Sequence, residues 1–173
     1  MNVAIPANRI INIGIFLACV TTIGIVLYME HVMLLSPCGL CITQRVFVIM
    51  CGLACLASAI HNPSAQGQKL YAFGAASMCV FGSYFAIRQI WLQNLPEDQV
   101  PACGPGLTYI YENFPFIELL NFLLKGDGNC AEVQFRFFGL LSIPQMAMVA
   151  FVLLFSTCTV SYTHLTLPTS DLV

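Results

Sequence analysis

The residues of this chain best suited to chemistry are cysteines. In the stretch "HVMLLSPCGLCITQR" Cys38 and Cys41 form a Cys-x-x-Cys pair, and Arg45 follows the second of them by four residues. Such a pair can close a small disulfide ring, and a helix N-terminus favours the thiolate of a cysteine placed there. The apolar run that begins at Cys41 predicts that helix, with Arg45 one turn further on, so Cys41 is the candidate activated sulfur. Two other readings stay open: half of a zinc site, or a coincidence of small apolar residues. Structural zinc asks for four ligands, commonly a second Cys-x-x-Cys or a His pair, and the sequence has neither, so no metal ligand is assigned.

Cys103 and Cys130 stand apart, in stretches rich in glycine and proline, "LPEDQVPACGPG" and "KGDGNC". A bridge between them would close a flexible loop and could open without unfolding the rest of the chain. A plain structural disulfide is the competing reading. If both pairs face one compartment, thiolate attack through a mixed intermediate can pass a disulfide from one pair to the other. Electrons arriving at Cys41 then need an acceptor. The sequence carries no haem, flavin or iron–sulfur spacing. A quinone dissolved in the membrane would serve, and Arg45 would lie at the depth of its headgroup. Arg45 could instead snorkel to the lipid interface, and Arg88 has the same two readings.

The elements that must position these residues follow from composition. Of 173 residues, 58% are hydrophobic and 8% charged, and the mean hydropathy of +0.83 belongs to a membrane protein. A formal net charge of -2 offers no basic field, which argues against nucleic acid as a partner. Four apolar windows approach the roughly 20 residues that cross a bilayer: about 10–29, 42–60, 70–92 and 144–160. The opening window is too long for a signal-peptide core and is read as retained. Four spans put both termini on one side and both loops, about 30–41 and 93–143, on the other. All four candidate cysteines therefore share a compartment. Cys19, Cys51, Cys55, Cys79 and Cys158 fall inside the spans and read as small apolar residues, Cys51 and Cys55 carrying only a weak metal hint. Gly14, Gly24, Gly52, Gly74 and Gly82 are expected to permit close helix packing.

Within the long loop, "NFPFIELLNFLL" is apolar but too short to span. It predicts a helix in the membrane interface, capped by Asn113, with Glu118, Asn121 and Lys125 toward water. The fold class is thus all-α: a four-helix transmembrane bundle with a short interfacial helix in its second loop.

These residues resemble the DsbB family of disulfide-bond formation proteins. The matching stretches are "HVMLLSPCGLCITQR", "WLQNLPEDQVPACGPGL" and "CAEVQFRFFGLLSIPQ", set among four spans of the right order and spacing over about residues 10 to 160. The resemblance implies a bacterial inner-membrane protein with cytoplasmic termini and periplasmic cysteine loops. It implies that a soluble periplasmic thiol oxidase of the DsbA type attacks a Cys103–Cys130 disulfide at Cys103. Cys130 then attacks Cys38–Cys41, and Cys41 hands electrons to diffusible ubiquinone or menaquinone with Arg45 assisting. Some family members carry a quinone-linked histidine in the loop after span three; this chain has none there.

Rival classes are an enzyme of the vitamin K epoxide reductase type, whose active pair tends to sit late in the bundle, and a non-enzymatic scaffold or metal-binding membrane protein with structural cysteines. Arg9 and Lys69 lie on the side taken as cytoplasmic, against Arg45, Arg88, Lys125 and Arg136 on or near the other, so the positive-inside count favours the reverse orientation. Possible functional reasons for Arg45 and Arg88 override it. The stretch from 161 to 173, "SYTHLTLPTSDLV", has no lysine or arginine and is set apart as a tail that need not be native.

Overall fold

The computed structural model describes residues 7–104 and 107–166. Four long helices dominate: α1 (Ala7–His31), α2 (Gly39–His61) and α3 (Ala65–Gln93), then, after two shorter loop helices, α6 (Ile143–Thr166). All four are long and apolar enough to cross a membrane. Their ends are set by local chemistry. α2 starts after Pro37, with Cys38 as its N-cap accepting the Cys41 N–H on Sγ at 3.4 Å. It stops at Asn62, which adopts the left-handed conformation (φ 40°) and donates its N–H to Ser58 O, and Pro63 forbids continuation. α6 runs past Val160 because neither Pro nor Gly intervenes before Pro168, and Ser161 is buried. Residues 167–173, the rest of the stretch set apart as a tail, lie outside the described residues.

The helices alternate in direction, and side-chain contacts fix which ends meet. At one end Asn12 Nδ2 donates to Ser58 Oγ at 3.1 Å and Asn8 Nδ2 to Gln68 Oε1 at 3.2 Å. At the other, residues from the end of α1, the start of α2, the end of α3 and the start of α6 line one cavity. α3 packs on both α2 and α6, and α1 packs on α2. In lipid there is no hydrophobic gain in burying leucine, so helices associate through close packing of small side chains. The core accordingly collects Cys19, Cys51, Cys55, Ala75, Cys79 and Cys158 around Ile15, Val48, Phe151 and Leu154. The sulfurs of Cys51, Cys79 and Cys158 lie within 4.8 Å of one another, three thiols used as compact filling where the helices approach. Larger apolar residues such as Leu17, Ile25, Phe73 and Leu153 point outward.

Two of the five expected glycines make contacts of this kind. A Cβ on Gly82 would meet Phe151 Cζ at 2.2 Å, and one on Gly52 would meet Cys19 Cβ at 3.0 Å. Gly14, Gly24 and Gly74 have nothing within 4 Å and do not serve helix packing. Glycine content alone does not say which face a glycine occupies.

The long loop is more structured than its composition suggests. It holds α4 (Leu107–Asn113), α5 (Phe116–Lys125) and a hairpin of two-residue strands, β1 (Arg136–Phe137) and β2 (Leu141–Ser142). Asn113 ends α4 instead of capping α5. Pro115 restricts the residue before it, and its own carbonyl accepts from Glu118 N–H at 2.9 Å, so Pro115 is the N-cap. α5 has three faces. Phe122 sits against Gly39, and the Leu123 carbonyl accepts from Thr43 Oγ1 at 2.8 Å, seating the helix on the start of α2. Glu118, Asn121 and Lys125 form an exposed polar stripe, and Phe116, Ile117, Leu120 and Leu124 an exposed apolar one.

Candidate active site

Three of the four candidate sulfurs meet at the start of α2. Cys38 and Cys41, held one turn apart by the helix, have their Sγ atoms 2.9 Å apart. Cys130, fully buried in a single 3₁₀ turn (Gly128–Cys130), packs with Cys38, Leu40, Phe85 and Leu92. Cys103 is exposed at the surface of the same loop. All nine cysteines are free thiols in this structure.

The loop around Cys103 and Cys130 is closed by backbone contacts that demand glycine. Gly128 N–H donates to Ala102 O at 3.3 Å. A Cβ on Gly128 would lie 2.5 Å from Pro101 O and 3.0 Å from Cys103 Sγ. The two cysteine segments thus touch at a point where no side chain fits.

The Cys38–Cys130 contact polarises the two thiols in opposite directions. Donation to Cys130, with a second bond to Cys41 and then burial, pushes the Cys38 thiol far up. The same bond lowers Cys130, outweighing its burial. Of the two thiols, Cys130 is therefore the one that ionises more readily.

Sequence reasoning did not identify the polar residues around the sulfurs. Gln89, 3% exposed, directs Nε2 at Cys41 Sγ (3.2 Å) and Cys38 Sγ (3.4 Å). Gln44 Nε2 donates to Gln89 Oε1 at 2.8 Å and so fixes that amide. Both are polar groups inside apolar spans, the one signal that could have marked them. Asp127, 6% exposed, accepts from Gly104 N–H at 3.2 Å and from Asn129 Nδ2 at 2.7 Å.

Beside the sulfurs opens a cavity of about 580 Å³, walled chiefly by apolar side chains including Val26, Met29, Met33, Phe137 and Met146, with Cys41, Gln89, Glu30 and Arg45 at its polar edge. Arg45 pairs with Glu30 at the end of α1, while its Nε is buried without a hydrogen-bond partner. A buried donor left unmatched is costly, and an acceptor oxygen in the cavity would satisfy it. Arg88 is not on this wall. Its Nε donates to Lys125 O at 3.0 Å and ties α3 to the end of α5. His31 bonds the Leu27 carbonyl and also stays off the wall.

Comparison with known proteins agrees with this arrangement. The family described as "Disulfide bond formation protein DsbB" matches residues 8–161. Disulfide bond formation protein B of Saccharophagus degradans is 51% identical over 148 residues, covering 86% of this chain and 89% of that protein. The protein of the same name from Hahella chejuensis is 49% identical over 145 residues, covering 84% and 87%. Disulfide bond formation protein B 1 of Pseudomonas aeruginosa is 44% identical over 137 residues, covering 79% and 83%. No solved structure matches. With two cysteine pairs at one end of a four-helix membrane bundle, this chain belongs to the DsbB family of disulfide bond formation proteins, disulfide-generating oxidoreductases of the membrane.

Proposed function

We propose that the chain re-oxidises a soluble periplasmic dithiol oxidase of the DsbA type and passes the electrons to a membrane quinone. One observation carries the reading: Cys130 reaches Cys38 while Cys41 faces the cavity edged by Arg45. A sulfur chain from the aqueous loop to a lipid-level pocket needs that sequence of neighbours.

The steps balance as thiol–disulfide exchange. A partner thiolate attacks Cys103 of a Cys103–Cys130 disulfide; the partner–Cys103 bond forms and Cys130 leaves as thiolate. Cys130 attacks Cys38 of a Cys38–Cys41 disulfide, forming Cys130–Cys38 and releasing Cys41 with the electron pair. The partner's second thiol attacks the partner sulfur bound to Cys103, closing the partner's own disulfide and expelling Cys103 as thiolate. Cys103 then attacks Cys130 of the Cys130–Cys38 bond, re-forming Cys103–Cys130 and leaving Cys38 and Cys41 reduced. Gln89, held by Gln44, points an N–H at the sulfur that leaves. The cavity fits an apolar ring with acceptor oxygens, since its walls are apolar and the Arg45 Nε lacks a partner. Arg45 and the lining methionines would hold ubiquinone or menaquinone, which supplies a two-electron acceptor. Glu30 orients Arg45 through their ion pair.

The proposal includes topology: inner membrane, both termini cytoplasmic, loops 30–41 and 93–143 periplasmic, α5 in the interface with its apolar stripe in lipid and Glu118, Asn121 and Lys125 in water.

The test is purified protein in detergent with reduced DsbA-type partner, following quinone absorbance for the parent, Cys41→Ser and Cys103→Ser. Quinone reduction by the parent alone is expected. A folded parent that reduces neither ubiquinone nor menaquinone overturns the reading.

A further inference from the structure

Asp127 is a buried carboxylate with no cation to balance it: among the described residues the salt bridge formed is Arg45–Glu30. Acidic groups are rarely this buried without a pairing or a task. Its partners are all hydrogen-bond donors, and all belong to the two cysteine segments. Oδ2 accepts from Gly104 N–H, the residue after Cys103, at 3.2 Å and from Asn129 Nδ2 at 2.7 Å. Oδ1 accepts from Cys130 Sγ at 3.5 Å, and the Asp127 backbone carbonyl takes the Cys130 N–H at 3.0 Å. The Asn129 amide reaches on to Gly104 O at 3.4 Å, closing a ring between the segments.

This ring matters at one moment of the relay. When the partner opens the Cys103–Cys130 bridge, the covalent tie between the segments is lost and Cys130 must still meet Cys38. A side chain free to swing would lose that encounter to entropy. We propose that Asp127 is the positioning residue of the inter-loop exchange, its carboxylate keeping the Cys103 and Cys130 segments together through Gly104 N–H and the Asn129 amide once their bridge has opened, so that Cys130 stays beside Cys38. The inference rests on the disulfide-relay reading but not on quinone. The bond that forms is Cys130–Cys38, the bond that breaks is Cys38–Cys41, and Cys41 leaves with the electron pair.

The carboxylate also shapes the reactivity of the sulfur. The titratable groups facing Cys130 are Cys38 from the start of α2 and Asp127 from its own loop, while α3 presents the uncharged Phe85 and Leu92. The Cys38 bond lowers the Cys130 thiol, and the Asp127 charge pushes the other way. A thiolate kept near an anion is the more nucleophilic one, because nucleophilicity falls as a thiol is acidified. Replacing Asp127 by asparagine should therefore acidify Cys130, an effect that loosened packing alone does not predict.

The experiment uses the full chain in detergent with Cys41→Ser and Cys103→Ser, leaving Cys38 and Cys130 as the loop thiols. Glutathione redox buffers then report how readily the Cys38–Cys130 bond forms. Adding Asp127→Ala is expected to lower that equilibrium about tenfold, the scale of the lost charged hydrogen bond from Gly104 N–H that ties the two segments. Asp127→Asn, which keeps the shape, is expected to lower it less and to shift the alkylation profile of Cys130, read by mass spectrometry, to lower pH. An unchanged equilibrium in both variants together with an unchanged profile overturns the proposal, and misfolding of the alanine variant leaves the asparagine pair of measurements to decide. A parent that fails to reduce quinone yet shows the Asp127 dependence sustains the positioning role and sinks the quinone reading alone.

Discussion

At the site the Cys38 and Cys130 sulfurs tune one another. Cys130 is lowered by the Cys38 hydrogen bond, so its thiolate forms at a lower pH than an ordinary thiol near 8.5. Exchange started by Cys130 should then persist to lower pH than exchange by an ordinary thiol, and decline as pH falls through its lowered value. Removing the donor with Cys38→Ala should move Cys130 alkylation to higher pH, and an unmoved profile would place the cause elsewhere. Gln89→Leu removes the N–H aimed at Cys41 and Cys38, with an expected cost of about 1 kcal/mol, or roughly a fivefold slower release of Cys41 in single-turnover exchange. Arg45→Ala should raise the quinone KM about tenfold or more while leaving exchange between Cys130 and Cys38 intact, since Arg45 contacts neither sulfur. Cys38, Cys41 and Arg45 were legible because their spacing is local: turns of one helix join them. Gln89 and Asp127 were not, because Gln89 meets Gln44 and the sulfurs, and Asp127 meets Gly104, only when segments distant in the chain fold together.

Among elements, the pairing of α3 with α6 depends on a single missing side chain. Gly82 leaves room for Phe151, which is 1% exposed, and a methyl at Gly82 would overlap that ring. Gly82→Ala should cost roughly 1–3 kcal/mol through overpacking, read as a lower unfolding temperature in detergent. Phe151→Leu in the same chain should recover part of that loss, a coupling absent if Gly82 merely lowers helix propensity. The spans themselves were legible from hydropathy, because length and apolarity are sufficient to make a helix in lipid. Facing was not. Helices apolar all round show no stripe to tell core from lipid, so Gly14, Gly24 and Gly74 look in sequence like Gly82. α4 also escaped notice, since Asn113 reads as the start of a helix until Pro115 is seen to place the break after it.

For the molecule as a whole, orientation is where charge and chemistry disagree. Arg9 and Lys69 stand near one end of the bundle and Arg45, Arg88, Lys125 and Arg136 at or near the other, a count that alone would put the cysteine end in the cytoplasm. Two of those four cations are engaged: Arg45 pairs with Glu30, and Arg88 binds the Lys125 carbonyl. They hold the site together, which gives them a reason to be there irrespective of topogenesis. Under the proposed relay, a reducing cytoplasm would also keep both cysteine pairs as thiols and leave nothing to transfer, whereas an oxidising compartment would hold the proposed partner. Cys103, exposed at the loop surface, provides the measurement. In intact cells treated with a reductant, a membrane-impermeant maleimide should modify Cys103 without permeabilisation, while Cys51, Cys55 and Cys79, buried in the bundle, stay unmodified. Labelling of Cys103 only after the inner membrane is opened would reverse the bundle in the membrane and would place the sulfurs where no periplasmic dithiol could reach them.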